Sequence, residues 1–333
     1  MRWSNAAMKL KRSFQRDFIN HTSGQIHDHL NTDNSVDSQI RPNQFYAMSL
    51  LPTRAMADSL TRELWMRLVY PWGVASLDQN DPQFHPYHEN WHHYHKDDAY
   101  HNGTVWLWNN GMAMQRMIEA GQPDVAWQLF SNMNREALNR GAIGSLPENA
   151  DAWPRQGSIW ANESGTFLQA WSNAEHIRVW YQGFLGINPR FIDETVDISP
   201  AIPSELTYLK YSQLMANGRL EGAFERGDNY RCYAYRFVNF SATARFNIEQ
   251  YRTVNIKATP GMTVSFTTNG DRLKVLISND RGQKLDTYSV ELDMDKVQRQ
   301  RQSDRLFAGI RFAIPAMQWN LPSLARYFDP PLN

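Results

Sequence analysis

Ile198-Ser199-Pro200-Ala201-Ile202-Pro203 divides the chain into two stretches of different periodicity, and the reading on each side of it sets the expected fold. Pro200 and Pro203 fix φ and remove two backbone donors, so neither a helix nor a central strand runs through it. Towards the carboxy terminus, apolar residues alternate over 206–214, 219–225, 230–238, 242–249, 253–258, 262–268, 273–277 and 287–292. Turn signals such as Asn217-Gly218, Asn269-Gly270 and Asn279-Asp280-Arg281-Gly282 separate them. Short strands with tight turns predict an antiparallel β-sandwich-like accessory domain over 205–333. Residues 298–304 read as a solvated charged stretch.

Towards the amino terminus the period changes. Apolar positions recur at helical spacing over 6–19, 45–69, 104–120, 125–139 and 165–184. Asp124 after Pro123 suits a helix start, and Gly121 and Gly141 suit helix ends. The connection at 121–123 is tight, whereas 20–44, 70–103 and 140–164 are long. Paired helices with short turns at one end and long loops at the other predict a mainly α domain over 1–196, a toroid of helical hairpins. Its long loops would rim a pocket.

Composition narrows the partners. The chain has 333 residues and a formal net charge of zero, so no basic field gathers nucleic acid or an anionic membrane. No run approaches the length of a membrane span, and residues 1–18 lack the apolar core of a signal peptide. One cysteine, Cys232, rules out an intrachain disulfide. A cytoplasmic protein without a cofactor is expected. The unusual feature is 12 Trp, 14 Tyr and 16 Phe. Large cores account for part of these. The remainder stand beside Asn, Gln, His and Glu.

The densest such mixture is Tyr100-His101-Asn102-Gly103-Thr104-Val105-Trp106-Leu107-Trp108. Sugars have polar edges and weakly apolar faces, so a sugar site needs flat rings next to side chains that donate and accept. Further on come Leu146-Pro147-Glu148, with Trp153 close by, and Gln169-Ala170-Trp171-Ser172. Glycoside hydrolysis by inversion takes two carboxyls roughly 6.5–9.5 Å apart, one acid and one base. Glu148 is the candidate base; an exposed loop glutamate is the alternative. Asp97 and Asp98 are the local candidates for the acid, or else a helix cap or a sugar contact. His85, His88, His92, His93, His95 and His101 form a histidine-rich tract whose intervals do not match a zinc helix, so polar rim residues are expected and no metal. Arg41-Pro42-Asn43-Gln44 either lines a subsite or caps the next helix.

In order and approximate spacing, residues 37–190 resemble the carboxy-terminal catalytic region of glycogen debranching enzymes of the amylo-alpha-1,6-glucosidase type. The shared segments are Arg41-Pro42-Asn43-Gln44, Gly73 to Leu77, Asp98 to Trp108, Pro147-Glu148 and Gln169 to Ser172. The resemblance implies an (α/α)6 toroid, a six-hairpin glycosidase and an inverting reaction on an α-1,6-linked glucan, with Glu148 as general base. It implies sugar contacts from Arg41, Asn43, Gln44, Asp98, His101, Trp106, Gln169 and Trp171, to which the polar-aromatic reading adds Tyr100, Asn102, Trp108 and Trp153. The chain departs from the family in three ways. Gly165-Thr166-Phe167-Leu168 lacks a cysteine common before the Gln-Ala-Trp-Ser segment, Leu107 replaces a proline, and the family's acid lies on a segment upstream of this chain's start. An upstream half or a partner chain would then complete the ring, or Asp97 or Asp98 would supply the acid. A carbohydrate-binding protein without turnover, or a hexose hydrolase of the trehalase or glucoamylase type, are the other readings.

Overall fold

A computed structural model of the chain describes residues 2–91 and 94–317. His92 and His93 of the histidine tract, and the end of the expected β-rich segment beyond 317, lie outside the described residues. The helices are α1 (Arg2–Asp17), α2 (Asn43–Ala47), α3 (Arg54–Leu68), α4 (Lys96–Tyr100), α5 (Asn109–Glu119), α6 (Pro123–Asn139), α7 (Ala170–Arg178) and α8 (Met294–Leu306). Two-residue strands interrupt them: β1 (His29–Leu30), β2 (Val36–Asp37), β3 (Val69–Tyr70), β4 (Gly73–Val74), β5 (Val105–Trp106), β6 (Asn149–Ala150) and β7 (Glu163–Ser164). Longer strands follow: β8 (Ile187–Arg190), β9 (Thr195–Ile198), β10 (Tyr208–Met215), β11 (Gly218–Arg226), β12 (Arg231–Val238), β13 (Ala242–Phe246), β14 (Val254–Ala258), β15 (Thr263–Asn269), β16 (Arg272–Ser278) and β17 (Lys284–Glu291).

Helix amounts to 32% and strand to 27%, which overturns the expectation of a mainly α chain folded as an (α/α)6 toroid. The cause is local. The apolar period over 45–69 does not make one helix: a 3₁₀ turn ends at Leu50, and Pro52 separates it from α3, which Thr53 caps by accepting from Met56 N. Residues 104–120 likewise begin as strand β5 and turn helical only at Asn109. The long connections are not bare loops either, because β1 pairs with β2, β3 with β4, and β6 with both β5 and β7.

The chain forms two compact units, one of residues up to Val179 together with the stretch from Arg305, the other Trp180–Asp304. In the first, α5 packs against α3, α6 and α7. Ala113, Met114 and Met117 of α5 and Val125, Ala126, Leu129 and Met133 of α6 are buried at helical spacing. The two helices join at Gly121, whose φ of +82° suits glycine, and Pro123 starts α6. Several tryptophans are core. Trp65 stacks on Phe312 at 5.6 Å, and Trp72 meets Trp160 edge-on at 5.4 Å while its indole N–H donates to Ala152 O at 3.1 Å. Ala313 N donates to Val69 O at 2.8 Å, which fixes the stretch after Arg305 to β3.

In the second unit β10-β11-β12-β15-β16-β17 form an antiparallel sheet, and β14-β13-β9-β8 form another in which β13 and β9 run parallel. Their inward residues share one core. Phe246 of β13 lies 5.3 Å from Tyr235 of β12 and 4.7 Å from Phe266 of β15, ring to ring. Burying each such ring is worth roughly 1.5–3 kcal/mol, and the alternation along the strands turns every second side chain inward. The charged stretch 298–304 lies within α8. Among the described residues no helix is long and apolar enough to cross a membrane.

Candidate active site

The polar-aromatic segment owes its shape to β5. Val105 pairs with Ala150 and Trp106 with Asn149, so Glu148 is the residue before the partner of Trp106. Glu148 is half-buried and fixed three times over. Its N donates to Thr166 O at 2.8 Å, its O accepts from Leu107 N at 3.3 Å, and its Oε2 accepts from Thr166 N at 3.3 Å. Burial pushes the Tyr100 phenol above its ordinary range, and the charges of Glu148 and Asp97 push it further, so the carboxylate and this ring are electrostatic neighbours.

Trp106 organises the aromatic side. Its indole N–H donates to Tyr100 O at 2.8 Å, its ring stacks on His101 at 5.6 Å, and Tyr100 meets it edge-on at 4.6 Å. Tyr100 stacks in turn on buried His88, whose Nδ1 lies 2.8 Å from Ser164 Oγ on β7. Trp106, Trp108 and His101 line one side of a cleft of about 360 Å³, and Arg41, Asn43, Asp28, His29, Ser76 and Asn109 complete it. Trp108 lies 5.6 Å from the Tyr46 ring, whose hydroxyl donates to Asn109 Oδ1 at 3.1 Å.

Arg41 builds the cleft as much as it lines it. Its guanidinium donates to Ser76 O at 3.2 Å, to Asn102 Oδ1 at 2.8 Å and to His101 O. Asn102 Nδ2 closes the same corner by donating to Asp98 O at 3.0 Å. Asn43 Nδ2 donates to Asp28 Oδ1 at 2.7 Å, and His29 Nδ1 lies 3.2 Å from Asp28 Oδ2. The cleft thus combines a carboxylate, an amide, an imidazole and indole faces, the set that hydroxyls and a sugar ring need.

Other expected residues lie elsewhere. Gln44 is 1% exposed, accepts from Ile26 N at 3.1 Å and is not among the residues that line the cleft. Asp97 and Asp98 are exposed in the first turn of α4, capped by His95, so no mutual desolvation acts on them. Trp153 packs on Phe84 at 5.4 Å. Gln169 caps α7 by accepting from Ala170 N at 3.0 Å, while its own N donates to Leu146 O at 3.1 Å, two residues before Glu148. Trp171 is 49% exposed on the first turn of α7. His85, His95 and His101 take part in ring contacts with Tyr94, Trp91 and Tyr100. Among the described residues no three His, Cys, Asp or Glu side chains converge as a metal site requires.

Sequence reading missed Asp28 and Asp151. Asp151 is 1% exposed, accepts from His88 N at 2.8 Å and from Arg155 Nε at 2.9 Å, and is pushed above the usual carboxylate range by burial. Asp28 lies in a polar run without periodicity, and no local pattern singled it out. Arg155 four residues after Asp151 was the available signal for a buried pair.

The amylo-alpha-1,6-glucosidase family model matches residues 1–178. Among solved structures, neutral trehalase Nth1 from Saccharomyces cerevisiae is similar at 16% identity and a TM-score of 0.40, over 54% of this chain. The chain spans about 30% of that structure. No curated protein matches.

Proposed function

Because the chain belongs to the amylo-alpha-1,6-glucosidase family, a family of glycoside hydrolases, we propose that it acts on α-glucan and releases an α-1,6-linked glucosyl unit with inversion. Glu148 is the general base: its carboxylate draws a proton from the water that attacks the anomeric carbon, while a second carboxyl, acting as the acid, gives its proton to the departing glycosidic oxygen. Thr166 N orients one carboxylate oxygen and leaves the other for water. Trp106, stacked on His101, and Trp108 offer platforms for the sugar face, and Asp28 and Asn43 offer partners for its hydroxyls.

The single observation that supports this reading is Tyr100, which meets Trp106 edge-on at 4.6 Å and whose phenol feels the Glu148 charge. The test is Glu148→Gln, with glucose release from a branched glucan and calorimetric titration by maltooligosaccharides as the two assays. Abolished release with retained binding is expected; release at the wild-type rate would refute the role of Glu148.

One observation favours a second reading. Asp98, the acid candidate, is exposed, and neither it nor Glu148 is among the residues that line the cleft. A chain that binds α-glucan without turning it over would titrate with maltooligosaccharides and release no glucose. An acid on an upstream segment or a partner chain would restore turnover when that part is supplied.

A further inference from the structure

Two glutamates outside the reaction scheme meet close to the strand that holds Glu148. Glu136, in the last turn of α6, and Glu163, on β7, turn their carboxyls towards the same atom, Arg140 Nε. Both are shielded from water, with side chains 2% and 8% exposed. The Trp160 indole N–H donates to Glu136 Oε2. Glu163 Oε1 is buried and receives no protein N–H or hydroxyl.

The charged group facing the pair is Arg140, at the end of α6. Its Nε lies 3.9 Å from Glu136 Oε2 and 4.0 Å from Glu163 Oε1, and its guanidinium lies over the Trp160 ring at 5.8 Å. At those distances, and 40% exposed, one cation does not neutralise two buried carboxylates. A single proton held between them removes the like-charge repulsion and supplies the donor that Glu163 lacks. Burial, then Glu163 itself, pushes the Glu136 carboxyl up to about 8. Gly141, at φ +50°, passes so close to the Glu163 carboxyl that a side chain there would collide with it.

The pair also has a mechanical connection. Glu163 pairs with Ala150 and Ser164 with Asn149, and two residues further Thr166 makes the two hydrogen bonds that hold Glu148 N and Oε2. We propose that Glu136 and Glu163 are positioning residues whose shared proton clasps β7 to α6, so that Thr166, and through it Glu148, keeps its alignment until that proton is lost. This rests on Glu148 as the base for its catalytic consequence, but the clasp itself is read without activity.

The test is hydrogen-exchange mass spectrometry of the full chain between about pH 6 and pH 10, corrected for intrinsic exchange, on the peptide covering 163–168. Wild type is expected to lose protection by up to about tenfold per pH unit up to about pH 8, where the clasped pair gives up its proton, and to level off above it. Glu163→Gln, whose amide donates to an ionised Glu136, is expected to hold its protection flat across the same range. Glu163→Ala is expected to be unprotected throughout. Identical pH profiles for wild type and Glu163→Gln, or wild-type protection in Glu163→Ala, would overturn the proposal. If Glu163→Ala does not fold, the glutamine comparison decides alone. Glu148→Gln serves as control and keeps the wild-type exchange profile. Should that variant still hydrolyse glucan while the exchange results hold, the base assignment fails and the clasp stands.

Discussion

Arg41→Ala separates a residue that touches sugar from one that builds the place where sugar binds. The Arg41 side chain is 15% exposed and donates to Ser76 O, His101 O and Asn102 Oδ1, acceptors 35, 60 and 61 residues away in the chain. It also meets Gln39 Oε1 at 2.6 Å, but that partner is local and finds water easily. At about 1 kcal/mol net per long-range bond, truncation costs about 3 kcal/mol. For a unit of this size, about 2–4 °C per kcal/mol makes that a fall of about 6–12 °C in Tm. Arg41→Lys keeps the charge but offers a compact ammonium in place of the planar fork, and about half the loss is expected. The assay is thermal unfolding followed by circular dichroism, alongside maltooligosaccharide titration at a temperature where every variant is folded. The Ala variant should bind more weakly as well, because His101 and Asn102 lose their anchor. A Tm within about 1 °C of wild type would refute the reasoning, since three bonds to distant segments of the chain cannot vanish without effect.

Gly103→Ala should destabilise by about 3 kcal/mol or more, measured by urea unfolding, because its φ is +147° and a Cβ would strike the His85 carbonyl. Asp28→Asn should weaken maltooligosaccharide binding about tenfold, the worth of one charge-assisted hydrogen bond, whereas Asp98→Asn, on an exposed turn, should stay within about twofold. The Glu136 carboxyl is raised in the folded chain from 4.5 to about 8, so its contribution to stability is complete below about pH 4.5 and lost as pH rises through about 8. Compared with Glu136→Gln, wild-type unfolding free energy should therefore fall across that window by up to about 1.4 kcal/mol per pH unit.

What the sequence disclosed follows from the length of its regularities. Strands such as β11, β12 and β15 run seven residues or more, long enough for alternation to register, and the expected segments 219–225, 230–238 and 262–268 overlap them. β5, β6 and β7 have two residues each, too few for any period, yet they bring Trp106 opposite Asn149, the residue after Glu148. The helical period over 45–69 was real, but Pro52 carried more weight than the pattern around it. Composition gave no view of the return of Ala313 to Val69, because that contact spans most of the chain. The Glu136–Glu163 pair was equally invisible, since a helix end and a two-residue strand share no spacing rule.

The same reasoning explains why only part of the polar-aromatic set remains available to a ligand. A hydrogen-bonding group already satisfied inside the fold brings little to a sugar, because binding would exchange one good partner for another. Arg41 spends its donors on Ser76, His101 and Asn102, Trp106 spends its indole N–H on Tyr100 O, and Gln44 gives its carbonyl to Ile26 N. Those bonds hold rings and loops in place. The His101–Trp106 stack, its planes nearly parallel at 3°, is fixed from two sides in this way before any ligand arrives. A platform already ordered costs little entropy on binding, which is what a weakly apolar sugar face requires. Asp28 is held by Asn43 and His29, and Asn109 by Tyr46, so what is left to choose the sugar is the second N–H and the spare lone pairs of these short cleft-edge groups, whose small reach discriminates one hydroxyl position from the next.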